Sequence, residues 1–183
     1  MKQEFNIIAY TENNIGLLNR ITIVFTRRKV NIESLTVSES ALKGVSKFTI
    51  VVETTEEQVQ KIVQQIEKQV EVLKAFYHTN DELCYQEIAL YKVSTDDLTA
   101  SDKIESLIRK YNARILEITK EFTVIEKTGH KEETQEFFEE LNQFRVLQFI
   151  RSGRVAITRL TIERLSEFLK ERDQILSMLE QPE

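Results

Sequence analysis

The sequence predicts an α+β protein made of two βαββαβ units in tandem, followed by a C-terminal helix. Three observations carry that prediction. Short apolar and β-branched runs alternate with helical stripes in the order strand, helix, strand, strand, helix, strand; that order occurs twice; and a polar stretch, His78 to Leu83, separates the two occurrences. The chain has 183 residues, enough for two small domains.

Phe5 to Tyr10 reads as a buried strand. Asn13-Asn14-Ile15-Gly16 supplies turn and cap residues, and Leu17, Leu18, Ile21, Val24 and Phe25 then recur on one face of a helix. Asn31 breaks that pattern. Leu35 and Val37 alternate with Thr36 and Ser38 as a half-exposed strand requires. Gly44 marks a turn, and Val45 to Val52 is β-branched enough for a central strand. Thr54 and Glu57 have the spacing of a capping box ahead of the stripe Val59, Ile62, Val63 and Ile66. Val70 to Tyr77 closes the first unit.

The second unit repeats the order. Glu87 to Val93 is a strand, and Ile104, Leu107, Ile108 and Tyr111 stripe a helix. Ala113 to Thr119 and Phe122 to Glu126 form a strand pair, Phe137, Phe138, Leu141 and Phe144 a second helical stripe, and Val146 to Ile150 the last strand. The predicted domains are residues 1–79, 83–159 and a helical extension at 160–183. In the extension, Leu165, Phe168, Leu169, Leu176 and Leu179 share one side of a helix ending before Pro182. That stripe suits either a cover for its own domain or a partner surface. A βαββαβ unit places both helices on one face of an antiparallel sheet, leaving the other face open unless something covers it. Units of this size have thin cores, so dimerisation is a physical expectation.

Composition excludes several classes. Hydrophobic residues make up 41% and charged residues 30%, a soluble balance rather than a disordered one. No run reaches the roughly 18 apolar residues that cross a bilayer. Met1-Lys2-Gln3-Glu4 leads straight into a strand, which argues against a signal peptide. Cys84 is the only cysteine, so no intramolecular disulfide forms; the expected compartment is the cytoplasm. The net charge of −5 disfavours nucleic acid. The basic triplet Arg27-Arg28-Lys29 falls at a helix end, where cations complement the dipole.

Catalytic groupings are missing from the pattern. His78 and His130 lie in loops or strand ends, away from Cys84 in any ligand spacing, and Asp96-Asp97 and Glu132-Glu133 sit at helix starts where the dipole accounts for them. No phosphate loop, dinucleotide fingerprint or zinc spacing occurs. The one site-like constellation is the first strand-helix turn, Glu12-Asn13-Asn14-Ile15-Gly16-Leu17. Free amides at a helix start attract a carboxylate, Gly16 leaves room for close approach, and Asn side chains suit a zwitterion. A plain cap and tight turn fit the same residues, and Asn31 shares that ambiguity.

These residues resemble a known family. Thr11-Glu12-Asn13-Asn14-Ile15-Gly16-Leu17-Leu18-Asn19-Arg20 is similar to the opening loop and helix of an ACT domain. Val30-Asn31-Ile32-Glu33-Ser34-Leu35-Thr36-Val37 is more specific and resembles the small regulatory subunit of acetolactate synthase (acetohydroxyacid synthase). Gln65-Ile66-Glu67-Lys68-Gln69-Val70-Glu71-Val72-Leu73, Gln86-Glu87-Ile88-Ala89-Leu90-Tyr91-Lys92-Val93 and Arg151-Ser152-Gly153-Arg154-Val155-Ala156 extend the likeness over roughly residues 4 to 159. The resemblance implies two ferredoxin-like domains, the first an ACT domain, in a non-catalytic subunit of branched-chain amino-acid synthesis. It implies activation of a large subunit carrying thiamine diphosphate, Mg and FAD, with none of these in this chain, and feedback inhibition by valine. The implied effector site lies between two ACT domains of a homodimer. Asn13 and Gly16 of one protomer hold the amino and carboxylate groups, Asn31, Ile32 and Thr36 come from the other, and Ile15, Leu17 and Ile32 are apolar neighbours. Lys29 departs from the glycine usual before the Val-Asn pair, and the extension after Arg159 is longer than usual; both leave leucine or isoleucine open as effectors.

Two rivals share parts of this pattern. A free-standing ACT sensor acting on another enzyme or a transcription factor would need neither the second repeat nor Arg151-Ser152-Gly153. An RNA-recognition module has the same element order, but its third strand carries stacking aromatics, and Val45 to Val51 contains only Phe48.

Overall fold

Strand β1 (Gln3–Glu12) runs through the centre of a four-stranded antiparallel sheet, because its residues are apolar on both faces and so tolerate burial on both. Around it lie α1 (Leu17–Arg27), β2 (Ser34–Glu39), β3 (Val45–Thr54), α2 (Glu56–Glu67) and β4 (Val72–His78). The strand order is β2-β3-β1-β4, the ferredoxin-like order. A second set follows: β5 (Leu83–Ser94), α3 (Thr95–Thr99), α4 (Lys103–Lys110), β6 (Arg114–Ile118), β7 (Phe122–Gly129), α5 (Lys131–Leu141), β8 (Val146–Arg151) and β9 (Val155–Thr158). Its order, β6-β7-β5-β8, repeats the first, with β9 also pairing with β5. The computed structural model describes residues 1–99, 103–161 and 165–170. They divide into two compact units: Met1–Cys84 with the described part of Ala156–Glu183, and Tyr85–Val155.

In the first unit, alternate residues Phe5, Ile7 and Ala9 of β1 and Phe48, Ile50 and Val52 of β3 meet Leu17, Ile21, Val24 and Phe25 of α1 and Val59, Ile62, Val63 and Ile66 of α2. Of the five residues expected on the inner face of α1, Leu18 is the exception: it is 46% exposed, because it lies one residue outside the buried arc. Helix α2 is capped by Thr55, whose side chain accepts from Gln58 N, so the cap lies one residue beyond the predicted Thr54. Thr54 Oγ1 instead donates to Gln58 Oε1 at 2.6 Å. Val70 is exposed and precedes β4, which begins at Val72. The helix-free face is covered rather than open: Ile8, Tyr10 and Val51 are buried there. Within the same unit Lys47 Nζ donates to Ala156 O at 2.7 Å, and Lys74 Nζ lies over the Phe168 ring. Residues 165–170 are helical with Leu165 buried, so this part of the terminal stripe packs on its own unit. Leu176, Leu179 and Pro182 lie outside the described residues.

The second core gathers Tyr91, Phe137, Phe144 and Ile125. Tyr91 meets Phe137 edge-on and stacks on Phe149, and its hydroxyl donates to Thr134 O at 2.7 Å. Burial pushes that phenol's pKa far up, so it stays a donor. The polar stretch from His78 to Leu83 belongs to the first unit and is structured. Asn80–Glu82 forms a 3₁₀ turn, with Glu82 Oε2 accepting from Thr79 N. The short helix α3 and the strand β9 have no counterpart in the sequence-based reading.

Helix α1 ends in a Schellman motif. Val30 N donates to Phe25 O and Lys29 N to Thr26 O, which places Lys29 in the left-handed region at φ 54°. This explains why glycine suits the position. Lys29→Gly is expected to raise the unfolding free energy by about 1 kcal/mol in urea denaturation. No gain there would mean that the α1 end relaxes without strain.

Candidate functional site

The β1–α1 turn is built by the hairpin beside it. Asn13 N donates to Gly44 O at 3.2 Å, so the tip between β2 and β3, turned by Gly44 at φ 80°, holds the turn from one side. Glu12 N donates to Glu71 O at 2.8 Å on the other side. Gly44 reads from the sequence only as a turn, and its supporting role is visible only in space.

Gly16 occupies the N-cap position of α1 at φ 84°, and no side chain among the described residues caps the helix. Neither Asn13 nor Asn14 does so; Asn14 Nδ2 turns back to Glu12 Oε2 at 3.3 Å. No acidic residue lies in the first turn, and the amides of Leu18 and Asn19 have no acceptor among the described residues. A helix start with free amides and no acid is polarised to accept an anion. An ideal Cβ on Gly16 would meet nothing within 4 Å, so the space above the turn is open. The nearby cation is already engaged: Arg20 Nη2 meets Glu71 Oε1 at 2.6 Å, and this hydrogen bond holds the Glu71 carboxyl below the ordinary carboxylate range.

The other candidate residues divide. Asn13, Ile15 and Gly16 are exposed together on the turn. Leu17 is in the core at 2% exposure, so only its backbone faces the turn. Asn31 is exposed and donates to Glu33 Oε1 at 3.0 Å, while Ile32 is half-buried against the core. Among the described residues Thr36 Oγ1 is buried without a hydrogen-bond partner, as is Ser34 Oγ, which the sequence did not single out. Orphaned hydroxyls of this kind are costly and favour an added partner. Both sit on the helix-free side of β2, opposite Thr49 and Val51.

Register separates the two groups within one chain. Glu12 lies level with Val45, and Glu39 with Ser46, at one end of the sheet. Ser34 and Asn6 both lie level with Val51 toward the other end. Asn13–Gly16 and Asn31–Ile32 therefore stand at opposite ends, roughly 20 Å apart at about 3.3 Å per residue.

Residues 7–74 match the family described as the AHAS small subunit-like ACT domain, and residues 86–160 match the one described as the small subunit of acetolactate synthase. The acetolactate synthase small subunit of Bacillus subtilis is 34% identical over 155 residues, covering 84% of this chain and 90% of that one. The chain belongs to the acetolactate synthase small-subunit family. A probable small subunit from Archaeoglobus fulgidus is 31% identical, over 84% of this chain and 95% of its own length. The crystal structure of the Thermotoga maritima acetolactate synthase small subunit superposes with a TM-score of 0.79 at 29% identity, covering 87% of this chain and 99% of that one. An acetolactate synthase small subunit with an ACT domain is a regulatory chain, and its place is beside a large catalytic subunit. Among the described residues no cluster of His, Cys, Asp or Glu could hold a metal, and no helix is long and apolar enough to cross a membrane.

Proposed function

We propose that this small subunit activates an acetolactate synthase large subunit and makes it sensitive to feedback by valine, bound between the ACT domains of two protomers. The observation that supports the reading is that Asn13–Gly16 and Asn31–Ile32 stand at opposite ends of one sheet. Strand β2 is one of the two edges of the sheet, and the one that follows Asn31 and Ile32. If two copies pair β2 antiparallel about a two-fold axis, the start of one strand meets the end of the other. Asn31 and Ile32 of the partner then come beside Asn13 and Gly16, near enough to grip one small zwitterion from both sides. With Ser34 level with Glu39 of the copy, the axis falls between Thr36 and Val37. Ile15, Leu18, Val37 and Leu42 are exposed apolar side chains around this edge, as an unpaired dimer face requires.

In this arrangement the ligand carboxylate meets the free amides at the start of α1, and the ammonium meets Asn side-chain oxygens. The aliphatic group lies against Ile15 and Ile32, and the Thr36 hydroxyl finds its missing partner. Leu17 contributes its backbone alone. Valine bound more tightly in one arrangement of the pair shifts the complex toward that arrangement. The chemistry, with thiamine diphosphate, Mg and FAD, belongs to the large subunit, and the shared location is the cytoplasm.

Titration calorimetry of the chain with valine, leucine and isoleucine tests the reading. The expected result is saturable binding of valine, with one ligand per half-site pair. Inhibition of the reconstituted enzyme should follow the same order of effectors. Activity indifferent to all three amino acids would remove the feedback role and leave activation standing.

A further inference from the structure

The chain crosses between its two units twice, at residues 84–85 and 155–156. On the first unit's side, the two crossing strands are tied by Arg159, whose N donates to Glu82 O at 2.9 Å and whose Nε donates to Leu83 O at 3.1 Å. On the second unit's side, Ser152 N donates to Ile88 O at 2.8 Å, and Ile88 N to Ser152 Oγ at 2.9 Å. Just inside the second unit lies a buried charged cluster. Glu87 (6% exposed) faces Arg154 Nε at 3.5 Å and Arg151 Nε at 3.8 Å. The Arg154 guanidinium (3% exposed) lies 3.8 Å over the Tyr85 ring, and that ring stacks on His130, 4.3 Å away, at the start of α5. Arg151 also donates to Gln135 Oε1 of α5 at 3.2 Å.

Buried ions are expensive and contribute little net stability compared with apolar residues of similar size. Their geometric demand is the reason to look for a role beyond packing. Arg154 must satisfy a carboxylate on the entering strand and an aromatic face at once, which a lysine cannot do equally well. The cluster thus joins the entering strand β5 (Tyr85, Glu87), the end of β8 (Arg151), the residue just before the leaving strand β9 (Arg154) and the helix start at His130 into one body.

We propose that Glu87, Arg154 and Tyr85 are positioning residues that clamp both crossing strands to the second unit, so that a change in the effector state of the first unit is carried into the second. This rests on the sensing role proposed above. Without the clamp the two strands move independently, and the first unit binds its effector without being heard.

The test compares the full-length chain with Arg154→Met, Arg154→Lys and Tyr85→Leu, each with the large subunit. Calorimetry with valine, leucine and isoleucine in turn reads binding. Inhibition of the reconstituted enzyme reads coupling, and amide exchange over residues 83–88 and 155–159 reads the clamp itself. Arg154→Met is expected to bind within about twofold of the unsubstituted chain, yet to need about 10-fold more effector for half-inhibition. Exchange in the crossing strands should speed up, and Arg154→Lys should restore part of the coupling. If Arg154→Met does not fold, Tyr85→Leu, which keeps the ion pair, should show the same separation of binding from inhibition. Unchanged inhibition, or binding and stability lost together, overturns the clamp. Absence of binding to the unsubstituted chain sinks the sensing role first, so the two failures are distinguishable.

Discussion

Gly16→Asp is expected to abolish inhibition by the amino-acid effector while the chain still folds and still activates the large subunit. Three features combine to give this outcome. Gly16 sits at φ 84°, where a residue with a Cβ is strained by roughly 1–2 kcal/mol. A Cβ there meets nothing within 4 Å, so the fold can accommodate the side chain. The new carboxylate then lies at the uncapped start of α1, filling the site that the effector's carboxylate would take and repelling it. Removing one charge-assisted contact and adding a repulsion weakens binding by about 100-fold or more. Gly16→Ala separates the contributions: it keeps the strain without the charge and should lose much less affinity. Calorimetry together with activity of the reconstituted enzyme reads both. Gly16→Asp inhibited at the ordinary effector concentration would place the site away from this turn.

The second large effect comes from Val37→Asp. Strand β2 is one of the two sheet edges, and Val37 is half-exposed next to the proposed two-fold axis. Near such an axis a residue approaches its own copy, so each substitution acts twice. Two buried valines are lost, each contributing roughly 1.5–3 kcal/mol, and two like charges are brought together. The dimer should weaken by more than about 100-fold. Sedimentation should then show monomers at concentrations where the unsubstituted chain is paired. Effector binding should disappear with the dimer, although Asn13, Gly16 and Asn31 are untouched. A monomeric Val37→Asp chain that binds valine normally would refute a shared site.

The first unit was largely legible because its elements carry strong local signals. Gly16 and Gly44 stand where the backbone turns left-handed, and the stripes of α1 and α2 match their buried faces. The errors lie where periodicity loses resolution. Leu18 is apolar and one residue off the arc, and Thr54 and Thr55 are alternatives that only the three-dimensional hydrogen bonds distinguish. Strand β9 was missed because Arg151-Ser152-Gly153-Arg154 looks like the end of a strand, whereas the chain resumes pairing with β5 beyond it. The lysine at position 29 does not itself signal a left-handed backbone, although the glycine usual there in the family does; the conformation follows from the hydrogen bonds that close α1.

Of the candidate site, the residue types at the turn fit a plain cap as well as a zwitterion site, and only the hydrogen bonds show that neither asparagine caps α1. The opposite placement of Asn31 was not readable either, because it depends on strand register. The role of Leu17 changed for the same reason: its spacing suits both a pocket wall and a core, and packing assigned it to the core.

Under the proposed pairing, the separation of Asn13–Gly16 from Asn31–Ile32 along one sheet would make sensing a property of chain abundance as well as of metabolite level. A lone protomer would then own two half-sites and no whole one. When the chain is scarce, fewer pairs form and each molecule becomes less responsive, so regulation fades faster than the number of molecules falls. An effector that joins the halves also holds the pair together. A cell rich in the end product would therefore keep its regulator assembled, and dilution would release the brake.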